Sequence, residues 1–182
     1  ETRDRLKIDV EGDGFSLFMF FESPHETIRD LFRLTGNPLF LPAWALGYHQ
    51  SRWSYGDEKS VIEIAENLRN KKIPCDAIHL DIDYMDSYKV FTWDENSFPN
   101  PSSMIERLSN MGIKIISIVD PGVKAVENYD IYEDGLKGDF FCKKEDGTPF
   151  RPAVWPGESR LPDFLNSATR NWWGEHYDRL LK

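Results

Sequence analysis

Between residues 45 and 122, short apolar runs alternate with segments whose apolar residues recur with a helical period. The runs are typical of buried strands and the periodic segments of amphipathic helices, and the two kinds of segment follow one another in turn. Because strands and helices alternate at this spacing, we expect parallel βαβ units with right-handed crossovers and a buried parallel sheet. Strands are predicted at residues 45–50, 77–83 and 113–119, and helices at residues 58–71 and 101–111.

The N-terminal segment has a different pattern. Apolar and polar residues alternate over residues 6–21, with a Gly-Asp-Gly turn at 12–14, which predicts a hairpin or the last strands of a larger β structure. A helix is predicted next, because Ser23 and Glu26 have the spacing of a capping box. Gly36 is expected just past its end.

A proline-rich stretch, residues 37–42, is compatible with neither a regular helix nor a central strand. We therefore interpret it as a linker and divide the chain into residues 1–36 and residues 37–182. The chain has 182 residues, 40% of them hydrophobic, which suffices for one sizeable core but not for two large domains.

After residue 122 the alternation stops. The stretch to residue 166 is rich in Gly, Pro and aromatic residues, and a loop of this length is usually functional. Within it a hairpin is predicted, with strands at 140–144 and 150–154 around a turn at 145–147. The chain is expected to close on a helix capped by Asn166 or Ser167, with an apolar face made of Trp173, Tyr177, Leu180 and Leu181.

Charge and composition exclude several partners. The net charge is −9, and no cluster of Lys or Arg is larger than a pair, which argues against nucleic acid and anionic membranes. No apolar run approaches the ~20 residues of a membrane span. We expect a neutral or cationic ligand.

Two features bear on the compartment. The two cysteines, Cys75 and Cys142, form no metal-binding or redox motif and are interpreted as small buried hydrophobic residues in a reduced protein. The first residues do not resemble a signal peptide, so a cytoplasmic protein is expected. Because the sequence lacks an initial Met, it is expected to begin inside a longer protein, and secretion stays possible if a signal lies upstream.

The candidate chemistry lies where the second predicted strand ends. On a regular strand, Asp81 and Asp83 point to the same side, at the C-terminal end where parallel sheets bind ligands. An equally favoured interpretation is that these acids cap the next turn or pair with Lys and Arg. A cation site that also uses Asp86 is less favoured, because the glycine and distal glutamate of a calcium loop are missing.

Other strand ends should bring further groups to the same edge. Trp53 follows the first strand, Asp120 follows the third, and Trp155 lies in the long loop. Carboxylates accept hydroxyl protons and indole faces cover the C–H side of a pyranose, so this combination indicates sugar binding. Taken alone, each Trp is better explained by core packing, and Asp120 by a turn or cap.

A family resemblance agrees with this interpretation. Residues 41–173 resemble the first part of the catalytic barrel of glycoside hydrolase family 31, the α-glucosidase family. The matching motifs occur in the family's order and spacing: PAWALGYHQ at 42–50, SRWSY at 51–55, LDIDYMD at 80–86, FTWD at 91–94, IVDPG at 118–122, VWPG at 154–157 and PDF at 162–164.

The resemblance implies an α/β fold: a partial (β/α)8 TIM barrel, comprising the first three to four βα units, preceded by the end of an N-terminal β-sandwich. It also implies that Asp81 hydrogen-bonds hydroxyls of the non-reducing glucose. Ile82, Ile118 and Trp155 would line that subsite, and Trp53 would shape its wall, with a possible bias toward α-1,6 linkages. No cofactor and no metal are implied, and the remaining acids of these motifs are expected to hold loops in place.

The chain departs from the family in one respect. A retaining glycosidase needs two carboxyl groups about 5–5.5 Å apart, and the family's nucleophile motif, Trp-x-Asp-Met-Asn-Glu, is absent from the sequence. No catalytic residue is therefore assigned. We expect a fragment of a retaining α-glucosidase that acts on terminal α-1,4- or α-1,6-linked glucose of oligosaccharides, inactive alone and dependent on the rest of the barrel. The alternative is a non-catalytic sugar-binding half-barrel.

Overall fold

The structure, a computed structural model, describes residues 7–12 and 14–181. The chain separates into two compact units, Glu1–Leu41 and Pro42–Lys182, and each is described by itself.

The first unit contains one helix, α1 (Pro24–Thr35), and the predicted capping box is confirmed. The Ser23 hydroxyl accepts a hydrogen bond from the Glu26 amide at 3.5 Å, and the Ser23 amide donates to the Glu26 carboxylate at 3.3 Å. Gly36 follows the helix with φ +85°, and its amide donates to the carbonyl of Phe32 at 2.8 Å. The predicted helix start and end are therefore both observed.

The hairpin predicted for residues 6–21 is wrong for the part that the structure describes, because residues 7–12 and 14–21 form no strand. Leu6 and Asp13 of that prediction lie outside the described residues. The side chains of Phe15, Phe18 and Phe21 are exposed rather than packed. A lone hairpin is marginal in water without a third strand or a packed helix, so an alternating pattern alone does not hold this segment in a sheet.

The second unit contains the predicted parallel sheet. Its strands, in spatial order, are β1 (His49–Gln50), β2 (Ala77–Leu80) and β3 (Lys114–Ser117), and all pair in parallel. Helix α2 (Glu58–Asn70) connects the first two strands and α3 (Pro101–Asn110) connects the next two. The prediction of βαβ units is thus confirmed.

The core lies between this sheet and its helices. Ala77, Ile78 and Leu80 of β2 are at most 1% exposed, which explains why the strand is apolar at these three positions. Cys75 is buried as predicted, whereas Cys142 is half-buried, and both are free thiols. The same cluster includes Val61 and Ala65 of α2 and Met104 and Leu108 of α3.

All three predicted strands are shorter than expected, and the third, residues 113–119, pairs only over Lys114–Ser117. Residues 45–50 begin with a 3-10 turn, Ala43–Leu46, so only the last two residues pair. Residues 77–83 leave the sheet at Leu80, because the Asp81 carboxylate accepts the Ile82 amide and starts another 3-10 turn, Ile82–Tyr84. The strict alternation expected for Asp81 and Asp83 is therefore wrong.

The segment after β3 forms a second, antiparallel sheet. Strands β4 (Val123–Lys124), β5 (Ala153–Val154) and β6 (Gly157–Arg160) pair in the order β4-β6-β5. Helix α4 (Asp130–Lys137), which the pattern did not predict, lies between β4 and β5 in the chain. The predicted hairpin of 140–144 with 150–154 is reduced to a single bridge, Lys143 with Pro149, because residues 153 and 154 pair with β6 instead.

The chain ends in two helices rather than one. Helix α5 (Ser167–His176) begins at Asn166, whose side chain accepts the Ala168 amide at 2.9 Å, and α6 (Asp178–Leu181) follows after Tyr177. Trp173 is buried as predicted, and Tyr177 is partly exposed at the break between the helices. Within residues 7–12 and 14–181, no helix is long and apolar enough to cross a membrane.

Candidate functional site

The candidate site lies at the C-terminal edge of the parallel sheet. Leu80 pairs with Ser117 at the last position of the ladder, and the Ile118 amide donates to the Leu80 carbonyl at 3.3 Å. This pairing places Asp81 and Ile118 next to each other where β2 and β3 end. Trp53 follows the end of β1 by three residues, so it leaves the sheet at the same edge.

Asp81 is half-buried and combines two of the interpretations made from the sequence. One oxygen, Oδ1, accepts the Ile82 amide at 2.8 Å and caps the following turn. Its other oxygen accepts no hydrogen bond from the residues that the structure describes. A carboxylate can accept several hydrogen bonds, so Asp81 can cap the turn and still accept a hydroxyl proton.

Beside this edge lies a cavity of about 140 Å³. It brings together Ile82, Trp155 and Asp120, which come from three separate segments of the chain. Trp53, Asp81 and Ile118 are not among its lining residues. The rest of the wall is mainly apolar and consists of Met85, Tyr88, Val90, Pro121, Gly122, Val154, Pro156 and Leu161.

Both candidate tryptophans are exposed, so core packing is wrong as an explanation for either. Trp53 is 82% exposed in the loop after β1, and Trp155 is 69% exposed in the turn between β5 and β6. Gly157, the residue at which β6 begins, has φ +92°, a left-handed conformation that favours glycine. The turn therefore presents an indole at the cavity without burying it.

Tyr84 ties the two strand ends together, and the sequence reasoning did not find it. Its hydroxyl donates to the Ile118 carbonyl at 2.7 Å. The side chain is 1% exposed, and burial raises its pKa to about 12, so the phenol stays a neutral donor. The only available signal was a tyrosine directly after Asp81-Ile82-Asp83, and that does not reveal a partner 34 residues away.

The neighbouring acids mainly hold loops. Asp86 forms an ion pair with Lys89, and that hydrogen bond lowers its pKa below the ordinary value. The Asp163 carboxylate accepts the Leu165 amide at 3.1 Å. Across residues 7–12 and 14–181, no three His, Cys, Asp or Glu side chains are grouped to hold a metal ion. The cation site considered for the acids after β2 is therefore not formed.

Two histidines are joined across the parallel sheet, before the residues of the candidate site. His49 Nδ1 lies 3.0 Å from His79 Nε2, and His49 Nε2 lies 3.1 Å from the carbonyl oxygen of Trp44. Because a carbonyl can only accept, His49 carries its proton on Nε2 and accepts from His79. Burial, together with His49, lowers the pKa of His79, which favours the neutral form of His79.

The fold is of the α/β class with a parallel sheet, and comparison with known proteins identifies the family. Residues 38–182 match the glycosyl hydrolases family 31 TIM-barrel domain. The chain is 45% identical to Alpha-glucosidase 2 of Bacillus thermoamyloliquefaciens, over 96% of this chain and 22% of the relative. It is 39% identical to human Neutral alpha-glucosidase AB, over 83% of this chain and 16% of the relative.

Solved structures agree. A dextranase of this family from Flavobacterium johnsoniae, in complex with glucose, has a TM-score of 0.81 at 34% identity, covering 90% of this chain and 20% of that one. A family 31 alpha-glucosidase from Bacteroides thetaiotaomicron has a TM-score of 0.75 at 44% identity, covering 84% of this chain and 26% of that one. The chain therefore belongs to glycoside hydrolase family 31, which confirms the family inferred from the motifs.

The chain spans about a fifth of the length of the relatives it matches. The parallel sheet with its helices is consistent with a partial TIM barrel.

Proposed function

We propose that the whole protein is a retaining α-glucosidase and that this chain supplies part of its glucose subsite. The observation that carries the proposal is the position of Asp81, whose carboxylate ends the buried strand β2 with one oxygen unpartnered among the described residues. Ile82, the residue after Asp81, lines the cavity together with Trp155. The proposed substrate of the whole protein is the terminal non-reducing α-linked glucose of oligosaccharides.

Each candidate residue has a physical role in this proposal. Asp81 accepts hydroxyl protons of the glucose, because an ionised carboxylate forms the stronger, charge-assisted hydrogen bonds. Ile82 and Ile118 exclude water, which strengthens those bonds. Trp155 and Trp53 offer exposed indole faces to the C–H side of the ring and to the entry side.

The chemical step belongs to parts of the protein outside this sequence. The family's aspartate nucleophile motif is absent from these residues, and retention needs two carboxyl groups about 5–5.5 Å apart. The remainder of the barrel therefore has to supply both. We also propose that a β-sandwich precedes the barrel, with residues 1–36 as its tail and linking helix, and that the protein is cytoplasmic.

The names of the relatives support α-glucoside hydrolysis more strongly than any one linkage. Relatives from Bacillus and human are named alpha-glucosidases, one from Arabidopsis thaliana is named Alpha-xylosidase 1, and the Flavobacterium neighbour is a dextranase. The preference between α-1,4 and α-1,6 linkages therefore depends on the residues that line the glucose subsite. Trp53 is the candidate in this chain for a bias toward α-1,6.

The first test is hydrolysis of 4-nitrophenyl α-glucoside by this chain and by a chain extended through the rest of the barrel. Activity is expected only in the extended protein. If neither chain hydrolyses the substrate and this chain still binds glucose in a titration followed by Trp fluorescence, the non-catalytic sugar-binding half-barrel is the better explanation.

The second test addresses Asp81 in the extended protein. Asp81→Ala should lower kcat/KM by at least about a hundredfold, because the carboxylate that accepts hydroxyl protons of the sugar in the transition state is lost. The matched control is Asp134→Ala, which removes an exposed carboxylate paired with Lys137 on α4 and should leave kcat/KM within about twofold. Near-unchanged kcat/KM in Asp81→Ala would reject the assigned role.

A further inference from the structure

The candidate cavity has an aromatic wall residue that neither the pattern nor the resemblance assigned. Tyr88 lines the same cavity as Ile82 and Trp155. Its side chain is 36% exposed and is not part of the buried core cluster. A partly exposed ring in a cavity wall is available to a ligand, whereas a core tyrosine is not.

The backbone at Tyr88 is held in an uncommon conformation. Ser87 and Tyr88 have φ of +50° and +62°, so two successive residues other than glycine are left-handed. Strained backbone of this kind persists only where surrounding contacts fix it, and it is concentrated at ligand sites. We therefore expect contacts from neighbouring residues to hold residues 86–88 in this conformation.

One contact from another strand and one within the turn fix this segment. Lys124 of β4 donates from Nζ to the Ser87 carbonyl at 2.8 Å, and the Ser87 hydroxyl donates to the Asp86 carboxylate at 2.9 Å. Asp86 is itself paired with Lys89. The segment is therefore tied both to the antiparallel sheet and to the turn after β2.

The Asp83 carboxylate affects the phenol of Tyr88. Hydrogen bonding to Asp83, with its negative charge as the second cause, raises the pKa of Tyr88. The phenol is therefore uncharged at neutral pH.

We propose that Tyr88 contacts the non-reducing glucose as an aromatic wall of its subsite and thereby sets the affinity for that sugar. The proposal deepens the function above and rests on it, because the cavity is the one assigned to glucose through Ile82 and Trp155. The cavity of about 140 Å³ is smaller than the roughly 300–1,000 Å³ of complete ligand pockets. It therefore accommodates part of the sugar, and the remaining wall of the subsite comes from other parts of the protein.

The test uses the complete enzyme with Tyr88→Ala, Tyr88→Phe and the matched control Phe150→Ala. Phe150 is an aromatic residue of similar exposure, 40%, and does not line the cavity. Tyr88→Ala should raise both KM for 4-nitrophenyl α-glucoside and the inhibition constant of free glucose by about five- to tenfold, because one ring contact is lost. Its kcat should stay within about twofold, since the same contact is made before and at the transition state.

The two other variants separate a ligand contact from a structural role. Tyr88→Phe keeps the ring and should stay within about threefold of wild type in both constants. Phe150→Ala should leave both constants unchanged. Unfolding midpoints of all three variants are measured alongside, because a structural role would lower the midpoint together with activity.

The outcomes distinguish this inference from the function on which it rests. If wild type hydrolyses the glucoside and Tyr88→Ala keeps its KM, the inference is wrong while the α-glucosidase stands. If KM rises and the glucose inhibition constant does not, Tyr88 does not contact the non-reducing sugar, and the inference is again overturned. If wild type neither hydrolyses the glucoside nor binds glucose, both proposals fail together.

Discussion

Strand β2 of the parallel sheet and strand β5 of the antiparallel sheet differ in how deeply their side chains are buried. In β2, Ile78 and Leu80 are at most 1% exposed and lie in the central core cluster. In β5, both residues are exposed, and Val154 retains 42% of its surface. Because apolar burial is the main source of stability, β2 contributes more to it than β5.

The candidate site uses both kinds of support. Asp81 directly follows the buried strand β2, and Ile118 directly follows β3, which pairs with β2. Trp155 is carried by an exposed two-residue turn, and Tyr88 by a strained segment tied to β4. We therefore expect that changes in β2 act on stability, whereas changes in the turn between β5 and β6 act on sugar affinity.

The largest effect is expected from Leu80→Ala. It removes a fully buried side chain from β2 and should lower the free energy of unfolding by about 3 kcal/mol, through lost burial and the cavity that remains. The matched change in the other sheet, Val154→Ala, should cost less than about 0.5 kcal/mol because that side chain is already exposed. Urea denaturation of the chain measures both. Equal losses would show that β2 and β5 do not differ in this way.

The next largest effect is expected from Tyr84→Phe. It leaves the Ile118 carbonyl without its donor and should cost about 1–2 kcal/mol. Tyr129→Phe is the control, because that buried phenol donates to the Val90 carbonyl at the same distance, 2.7 Å. Both variants should unfold at lower urea concentration by similar amounts. A loss in Tyr129→Phe alone would mean that the bond between Tyr84 and Ile118 does not hold the two strand ends together.

The fold could be predicted from the sequence where local pattern and long-range packing agree. Helix α2 is an example, since Val61 and Ala65 have helical spacing and are also buried against the sheet. The motif order gave the family correctly for the same region. Residues 6–21 have an equally regular alternation, yet the described part forms no strand, because alternation does not supply the neighbouring strands that a sheet needs.

Helix α4 shows why other elements were missed. Gly135 lies in the middle of it and would normally be interpreted as a helix breaker. In the structure, a Cβ at this position would lie 2.3 Å from the Phe141 ring, so the glycine permits close packing rather than a turn. Such a reason depends on a residue outside the helix and cannot be read from periodicity.

The site was predicted only in part for a similar reason. Asp81, Ile82, Ile118, Trp53 and Trp155 came from motifs, and their roles stay predictions. The contribution of Tyr84 depends on a hydrogen bond between strand ends. Local sequence does not specify such partners, so a residue of this kind becomes visible only in the folded structure.

A smaller effect, and one confined to the antiparallel sheet, is expected from Gly157→Ala. The new Cβ meets nothing within 4 Å, so the cost is the left-handed backbone alone, about 1 kcal/mol. Relief of that strain would shift the turn that carries Trp155, and glucose affinity of the complete protein should fall a few-fold. Gly147→Ala is the matched control, with φ +78° and open space in a turn that does not line the cavity. The prediction fails if both variants change glucose affinity equally, as measured by titration.

The smallest expected effect concerns His176 on α5 and appears only as a dependence on pH. The side chain is 8% exposed, and its Nε2 has no partner among the described residues. Burial, followed by the charge of Arg179, lowers its pKa below the ordinary value of 6.5, against the opposing effect of Asp130, Asp134 and Glu175. The folded protein therefore keeps this histidine neutral at a pH where the unfolded chain already binds a proton.

The sign of the effect follows from that difference. As pH falls through 6.5 toward the folded-state pKa, the unfolded chain binds more protons, so the free energy of unfolding decreases. His176→Phe keeps a ring against Trp172 and Phe91 and removes the titration, so its stability should fall less between about pH 7 and pH 5. The carboxylates with lowered pKa, such as Asp86, titrate below the range from pH 7 to pH 5. His79, whose pKa is also lowered, accounts for part of the dependence of stability on pH that remains in His176→Phe. Urea unfolding across this range checks the prediction, and an unchanged slope in His176→Phe would show that His176 titrates alike in both states.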